Sequence, residues 1–100
     1  MTELPPGFDP VLHPPARLQI AAVLAQVDDA EFARLRSVTG VSDSVLSKHL
    51  STLAEAGHIA LRKATADGRQ RTWASLTGSG RKAFMAHVAA LDALIASAGE

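Results

Sequence analysis

The 100-residue chain contains no cysteine. This absence excludes a disulfide framework, a zinc site built on thiolates, an iron–sulfur cluster and a cysteine nucleophile. It also fits the reducing interior of a cell, where disulfides are rare.

Long apolar runs are missing as well, because no window approaches the roughly 20 apolar residues that span a bilayer. The first ten residues, MTELPPGFDP, are acidic and hold three prolines where an export signal would need a positive charge. We therefore expect a chain that does not enter a membrane, with a cytoplasmic location as the default.

Catalytic and metal-binding constellations are equally absent. The chain offers no nucleophile beside a base and no carboxylate pair, and the Gly-Ser-Gly at 78–80 lacks the lysine pattern of a phosphate-binding loop. That tripeptide is better interpreted as a helix start that lets the chain pass close to the hairpin before it. The histidines show no local pair at metal-ligand spacing: they are His13, His49, His58 and His87. We expect no enzyme, no metal and no cofactor.

The charges cancel in total but not along the chain. Lys+Arg and Asp+Glu both number 10, yet residues 34–82 hold nine bases and three acids, whereas residues 1–33 hold five acids and one base. Phosphate contacts depend on the local field rather than on the net charge. The middle of the chain is therefore suited to an acidic partner.

Two helices are predicted in the first part of the chain. A helix at 14–27 is apolar on nearly all sides, which indicates burial, and proline is tolerated in its first turn. Asp28 or Asp29 can cap a second helix, which ends at Gly40. Its inward stripe at helical spacing consists of Phe32, Leu35 and Val38.

A third helix follows the glycine turn. Ser42 is its predicted N-cap, with Val41 and Leu46 in the positions of a hydrophobic staple. Its apolar stripe is Leu46, Leu50 and Leu53. Gly57 stands where a left-handed residue ends a helix.

The last part of the chain changes from helix to hairpin and back to helix. Asp67 and Gly68 separate two extended runs within 59–76, and this pair is a strong signal for a tight hairpin turn. Thr77 then predicts the N-cap of a final helix at 78–98.

These elements predict one domain over residues 1–100, mainly helical with a small β-hairpin, preceded by an N-terminal arm at 1–12. Helices joined by a glycine-containing turn at 29–57 form a helix-turn-helix, whose second helix enters the DNA major groove. The basic hairpin directly after it is a wing, which makes the fold a winged helix-turn-helix.

Four segments in this order also carry a resemblance: HPPARLQIAAVL, FARLRSVTGVSDSVLSKHLSTLAEAGHI, RKATADGRQRTWASLT and LTGSGRKAF. Over about Phe8 to Leu94 the chain resembles compact winged helix-turn-helix transcriptional regulators of the MarR-like and ArsR-like kind. The resemblance implies a homodimer across a pseudopalindromic operator, with the third helix in the major groove. Metal sensing in ArsR-like proteins needs cysteines or aspartate and histidine clusters; the last helix here offers only His87 and Asp92.

Carried over by position, the exposed residues of the recognition helix are Ser44, Ser47, Lys48 and Ser51. Their spacing of three and four residues independently places them away from the leucine stripe. His49 has two interpretations, a phosphate contact or half-buried packing. The negative charge of Asp43 is expected to stabilise the N-terminus of the helix through the helix dipole rather than to contact DNA.

The wing concentrates four cations that are candidates for phosphate contact, Arg62, Lys63, Arg69 and Arg71. Charges there also discourage pairing between sheet edges, so a merely soluble hairpin remains an alternative. We expect at least two of them to contact phosphate, Arg69 first because it borders the tip. Trp73 is expected to pack rather than to stack on a base.

The first and last helices are expected to form a two-fold interface, because a three-helix core with a hairpin does not cover both. The expected interface residues are Leu18, Phe84, Val88, Leu91, Leu94 and Ile95. The alternative is a last helix that folds back on its own domain.

The predicted function is a sequence-specific, dimeric regulator that binds double-stranded DNA and represses by occluding its operator. The rival hypothesis is a winged-helix module that binds a protein instead of DNA. The sequence names neither the operator nor the regulated genes, and no polar cluster identifies a small-molecule effector.

Overall fold

The computed structural model describes residues 4–99 and arranges within them four helices and a three-stranded antiparallel sheet. The elements are α1 (Pro15–Leu24), β1 (Ala30–Glu31), α2 (Phe32–Thr39), α3 (Asp43–Glu55), β2 (Ile59–Ala66), β3 (Arg69–Leu76) and α4 (Gly78–Ala98). The predicted class, a mainly helical winged helix-turn-helix with a small hairpin, is confirmed. The predicted arm at 1–12 begins outside the described residues.

Helix α1 is shorter than the predicted helix at 14–27. It ends at Leu24 with Ala25 as its C-cap, because the chain then turns toward the sheet. Its buried residues are Ile20, Ala21 and Leu24.

The segment before α2 is a strand, which the sequence analysis did not predict. Ala30 pairs with Ala74 and Glu31 with Trp73, so β1 adds a third strand beside β3. The backbone is therefore extended up to Glu31, which is the N-cap of α2 and makes no side-chain cap bond. The predicted cap at Asp28 or Asp29 is wrong for this reason.

The turn and helix α3 follow the predictions closely. Gly40 ends α2 with a φ of 70°, and the Ser42 hydroxyl accepts the Val45 N–H at 3.3 Å. Gly57 follows α3 with a φ of 80°. Val38, predicted to point inward, is 40% exposed, because α2 buries only Leu35 fully.

The hairpin turn is of the primed kind that the Asp-Gly pair predicts. Asp67 has a φ of 52° and Gly68 a φ of 75°, and both central residues of a type I′ turn need positive φ. This turn sets the register of β2 and β3, in which Arg62 lies opposite Trp73 and Lys63 opposite Thr72.

The core lies where α1, α2 and α3 meet the base of the sheet. Its buried cluster consists of Leu12, Ile20, Ala21, Leu24, Ala30, Leu35, Leu46, Leu50, Leu53, Ile59 and Ala74. Each buried leucine or isoleucine contributes about 1.5–3 kcal/mol through removal from water. This cluster holds the recognition helix against the rest of the chain.

Helix α4 is joined to the end of α3 at its first turn. The Thr77 hydroxyl accepts the Gly80 N–H at 2.8 Å and donates to the Gly57 carbonyl at 2.6 Å. A Cβ at Gly80 would overlap the His58 carbonyl oxygen, which confirms that this glycine permits a close approach.

The segment before α1 is fixed to α4 and to the end of the helix-turn-helix through Asp9. The Asp9 N–H donates to Nδ1 of buried His87 at 2.9 Å, and the Asp9 carboxylate lies 2.9 Å from Nε2 of His58. The same carboxylate accepts the Val11 N–H at 2.8 Å. The predicted arm is therefore packed against the rest of the chain at Asp9, whereas Leu4 is exposed.

Candidate nucleic-acid interface

The outward face of α3 carries the predicted polar side chains. Its leucines Leu46, Leu50 and Leu53 are buried on the opposite side. The exposed residues of this recognition face are Ser44, Ser47, Lys48 and Ser51. At the start of the helix, Asp43 lies in the first turn and pairs with Arg36 at 2.9 Å. The face is thus open, and its one acid near the N-terminus has a partner.

His49 lies at the edge of this face, against α1. Its Nδ1 is 3.2 Å from Nη1 of Arg17, and Arg17 also donates from Nε to the Val11 carbonyl at 2.6 Å. Burial lowers the pKa of His49, and the charge of Arg17 lowers it further. A neutral imidazole packed on α1 matches the half-buried interpretation.

The register of the hairpin divides the wing into two faces, because residues directly opposite each other share a face and side chains alternate along a strand. Leu61 lies opposite buried Ala74, and the same face continues to Lys63 and Thr72. We call this the inner face, since it turns toward α3. The other, outer face carries Arg62, Arg69, Arg71 and Trp73.

Acids from the segment before α2 pair with arginines of the outer face. Arg62 lies 3.1 Å from Asp29, and Nη1 of Arg71 donates to both carboxylate oxygens of Glu31 at 2.9 and 3.2 Å. The Arg62 guanidinium also lies 5.7 Å from the centroid of the Trp73 ring. This cation–π geometry and the half-buried ring agree with packing rather than base stacking.

The inner face and α3 enclose a corner with a cavity volume of about 320 Å³. It is lined by Phe32, Ser47, Leu50, Ser51, Leu61, Lys63 and Thr72. Leu61 remains 42% exposed there. The lining combines three hydroxyls, one ammonium and apolar carbon, and it contains no carboxylate.

Residues 16–95 match the sequence model of a family described as a winged helix DNA-binding domain. The chain belongs to this winged-helix family. Over 72 residues it is 32% identical to the uncharacterized protein MJ0432 of Methanocaldococcus jannaschii, and the match covers 72% of this chain and 78% of that protein.

Solved structures resemble this winged-helix chain along most of its length. A transcriptional regulator homologue from Pyrococcus horikoshii OT3 has a TM-score of 0.80 at 28% identity, covering 87% of this chain and 86% of that one. YusO from Bacillus subtilis has a TM-score of 0.74 at 25% identity, covering 83% and 58%. The transcriptional repressor BigR from Xylella fastidiosa shares the fold, with a TM-score of 0.64 at 24% identity, covering 79% and 74%. The predicted class of compact winged helix-turn-helix regulator is confirmed.

The cations of the winged-helix interface differ in their partners. Within residues 4–99, no carboxylate lies within 4.0 Å of Lys48, Lys63 or Arg69, whereas Arg62 and Arg71 each have one.

The same part of the chain contains no group of three His, Asp or Glu side chains that could hold a metal ion. Its helices include none that is long and apolar enough to cross a membrane.

The side chains predicted for the dimer interface lie on α1 and α4 of the winged-helix chain. Phe84 packs against the chain's own core, and Leu18 is half-buried. Val88, Leu91 and Leu94 are half-buried on α4, and Ile95 is 70% exposed. Met85, which was not predicted for this surface, is 60% exposed.

Phe32, Leu61 and Thr72 were not predicted to line the corner, and the pairing of the outer arginines was not predicted either. The division of the wing into two faces could have been predicted, because the Asp67-Gly68 turn fixes the register and so places Arg62 and Lys63 on opposite faces. The partners Asp29 and Glu31 depend on strand β1, which has no local signal.

Proposed function

We propose that this winged-helix chain is a homodimeric, sequence-specific transcriptional repressor of the MarR-like or ArsR-like kind. The observation that carries the proposal is the open face of α3, where the serines and Lys48 are exposed beside a wing with unpaired Lys63 and Arg69. A polar helix beside a cationic hairpin suits a DNA groove and its phosphates.

Helix α3 enters the major groove in this proposal. Ser44, Ser47 and Ser51 can each donate or accept a hydrogen bond, so they read base edges without favouring one base. Lys48 supplies a positive charge for phosphate or for guanine. His49 is neutral and packed on Arg17, so we assign it to holding α3 in place.

The wing cations Arg62, Lys63, Arg69 and Arg71 provide the field that attracts the phosphates. Arg69 stands next to the tip formed by Asp67 and Gly68, where it can reach the adjacent minor groove.

Dimerisation through α1 and α4 covers the apolar side chains that a single chain leaves open. Ile95 and Met85 are exposed, and the half-buried Val88 and Leu91 lie between them along α4. A two-fold interface buries each of these side chains twice, and each burial is worth about 1.5–3 kcal/mol. It also brings two copies of α3 onto half-sites about 34–36 Å apart.

Repression follows from the coverage of the DNA. A dimer bound across two successive half-sites excludes other proteins from that stretch, and an operator that overlaps a promoter is then closed to transcription. The proposed site of action is the cytoplasm, with binding rather than catalysis as the activity.

The test is retention of duplex DNA by the purified chain over a salt series. Several phosphate contacts give a log–log slope of about −0.9 per phosphate. Lys48→Ala should weaken binding and lower the slope by about 1.8 for the proposed dimer, because each protomer loses one phosphate-directed charge. Lys82→Ala, an exposed lysine on α4, is the matched control and should change neither quantity.

Absent or salt-independent retention would contradict the proposal. It would favour a winged-helix module that binds a protein partner.

A further inference from the structure

We infer that the two faces of the wing have separate roles: Lys63 binds a backbone phosphate in the corner between α3 and the inner face, while Asp29 and Glu31 are positioning residues that hold the wing through Arg62 and Arg71. The inference rests on the proposed DNA-binding function and names Lys63, rather than Arg62 or Arg71, as the wing cation that contacts the strand in this corner. Arg69 at the tip keeps its proposed place beside the minor groove.

The position of the corner identifies its occupant. One sugar-phosphate strand separates the major groove from the adjacent minor groove. A helix in the major groove and a wing that reaches the minor groove must therefore lie on either side of that strand, and the space between them is the corner of about 320 Å³. The strand that passes there is a polyanion with a deoxyribose carbon surface.

The chemistry of the corner matches this strand. Lys63 supplies the positive charge, and Ser47, Ser51 and Thr72 supply hydroxyls, which are common phosphate partners. The 42% exposed Leu61 offers an apolar surface to a sugar. No carboxylate lines the corner to repel a phosphate.

The outer face is directed away from this strand. Arg62 and Arg71 alternate with Lys63 and Thr72 along their strands, so the sheet itself separates their guanidinium groups from the corner. Both arginines already contact acids of the segment before α2, at 3.1 and 2.9 Å. These pairs connect the wing to the helix-turn-helix and so fix the angle between the two DNA-binding elements.

The experiment compares salt slopes for variants of the full chain on one selected duplex. Lys63→Gln should lower the affinity and reduce the slope by about 1.8, because each protomer of the dimer loses one phosphate contact. Arg71→Glu should lower the affinity severalfold, and the exchanged pair Glu31→Arg with Arg71→Glu should restore both the affinity and the wild-type slope. Arg62→Gln is a second outer-face variant, and its slope should fall by less than half as much as that of Lys63→Gln, because its guanidinium adds to the field but contacts no phosphate. Circular dichroism confirms that each variant is folded.

A single neutral methylphosphonate at the phosphate nearest the corner completes the test. It should weaken the wild-type chain clearly more than Lys63→Gln, because only the wild type has an ammonium group that loses its anionic partner. An unchanged slope for Lys63→Gln, a slope lowered as much by Arg62→Gln as by Lys63→Gln, or failure of the exchanged pair to restore binding would overturn the inference alone. A wild-type chain that retains no duplex would overturn the proposed function and the inference together.

Discussion

Helices α3 and α4 begin in the same way but present opposite surfaces. Ser42 caps α3 by accepting the Val45 N–H at 3.3 Å, and Thr77 caps α4 by accepting the Gly80 N–H at 2.8 Å. Beyond these caps, α3 buries its leucines and exposes hydroxyl and ammonium groups, whereas α4 leaves Ile95 70% exposed. The cap determines where each helix begins, and the proposed function assigns a partner to each uncovered face: a polyanion to α3 and a second copy of the chain to α4.

The largest effect is expected from a charge placed in the apolar surface of α4. Ile95→Glu should weaken the dimer by about 100-fold or more, because a two-fold interface loses two buried side chains and gains two facing charges. Sedimentation across micromolar concentrations measures the change. Ser97→Glu adds the same charge at another exposed position of α4 and should leave the dimer much stronger. A monomeric wild type, or equal effects of both variants, would contradict the assigned interface.

The next effect is on the joint between the two helices. Gly80→Ala should destabilise the fold by about 1–3 kcal/mol or more, because the new Cβ meets the backbone of His58, which cannot move aside as a side chain would. Gly78→Ala is the matched control, since a Cβ there meets open space. It should be neutral or stabilising by up to about 1 kcal/mol, because alanine favours helix. Denaturant unfolding measures the stability of both variants. Similar losses of stability would contradict the close approach of Gly80 to the His58 backbone.

The caps themselves should differ in strength. Thr77→Ala should cost about 1–2 kcal/mol, because the hydroxyl caps α4 and also donates to Gly57 at 2.6 Å. Ser42→Ala should cost about 0.5–1 kcal/mol, since its bond is long and exposed. Thr77→Ser keeps the hydroxyl and should recover most of the loss in thermal unfolding. A larger loss of stability for Ser42→Ala than for Thr77→Ala would contradict this order of the two caps.

A smaller, pH-dependent effect comes from one histidine on each helix. Burial lowers the pKa of His87 from 6.5, the charge of His13 acts in the same direction, and Asp9 opposes them. Burial, then the charge of Arg17, likewise lowers the pKa of His49. The unfolded chain therefore binds more protons than the folded one near pH 6.5, so the free energy of unfolding should decrease as the pH drops below that value.

The variant His87→Asn separates the contributions of His87 and His49 to the pH dependence of stability. In His87→Asn the amide oxygen can accept the Asp9 N–H without titrating, so stability should depend less on pH while the contact is retained. Denaturant unfolding from pH 7 to pH 5 measures this, and His49→Asn is the corresponding variant on α3. If the pH dependence of stability were unchanged in both variants, the two histidines would not be its source.

Local signals explain what the sequence predicted well. Ser42, Gly57, Asp67-Gly68 and Thr77 act on the backbone within a few residues, so their elements were predicted with nearly correct bounds. Strand β1 was missed because its existence depends on pairing with β3, more than 40 residues later. The contact of Asp9 with His87 spans 78 positions and has no local signature either. The serines of α3 were located by helical spacing, but the pairing state of each wing cation required the folded chain.

The central claim is most directly tested by selecting bound fragments from a random duplex pool. A dimer with two exposed copies of α3 should enrich an inverted repeat whose half-sites are centred about 10–10.5 base pairs apart. Lys48→Ala should reduce the recovery of that repeat, and Ile95→Glu should reduce the recovery of paired half-sites. A pool that shows no enrichment after repeated rounds would contradict the account.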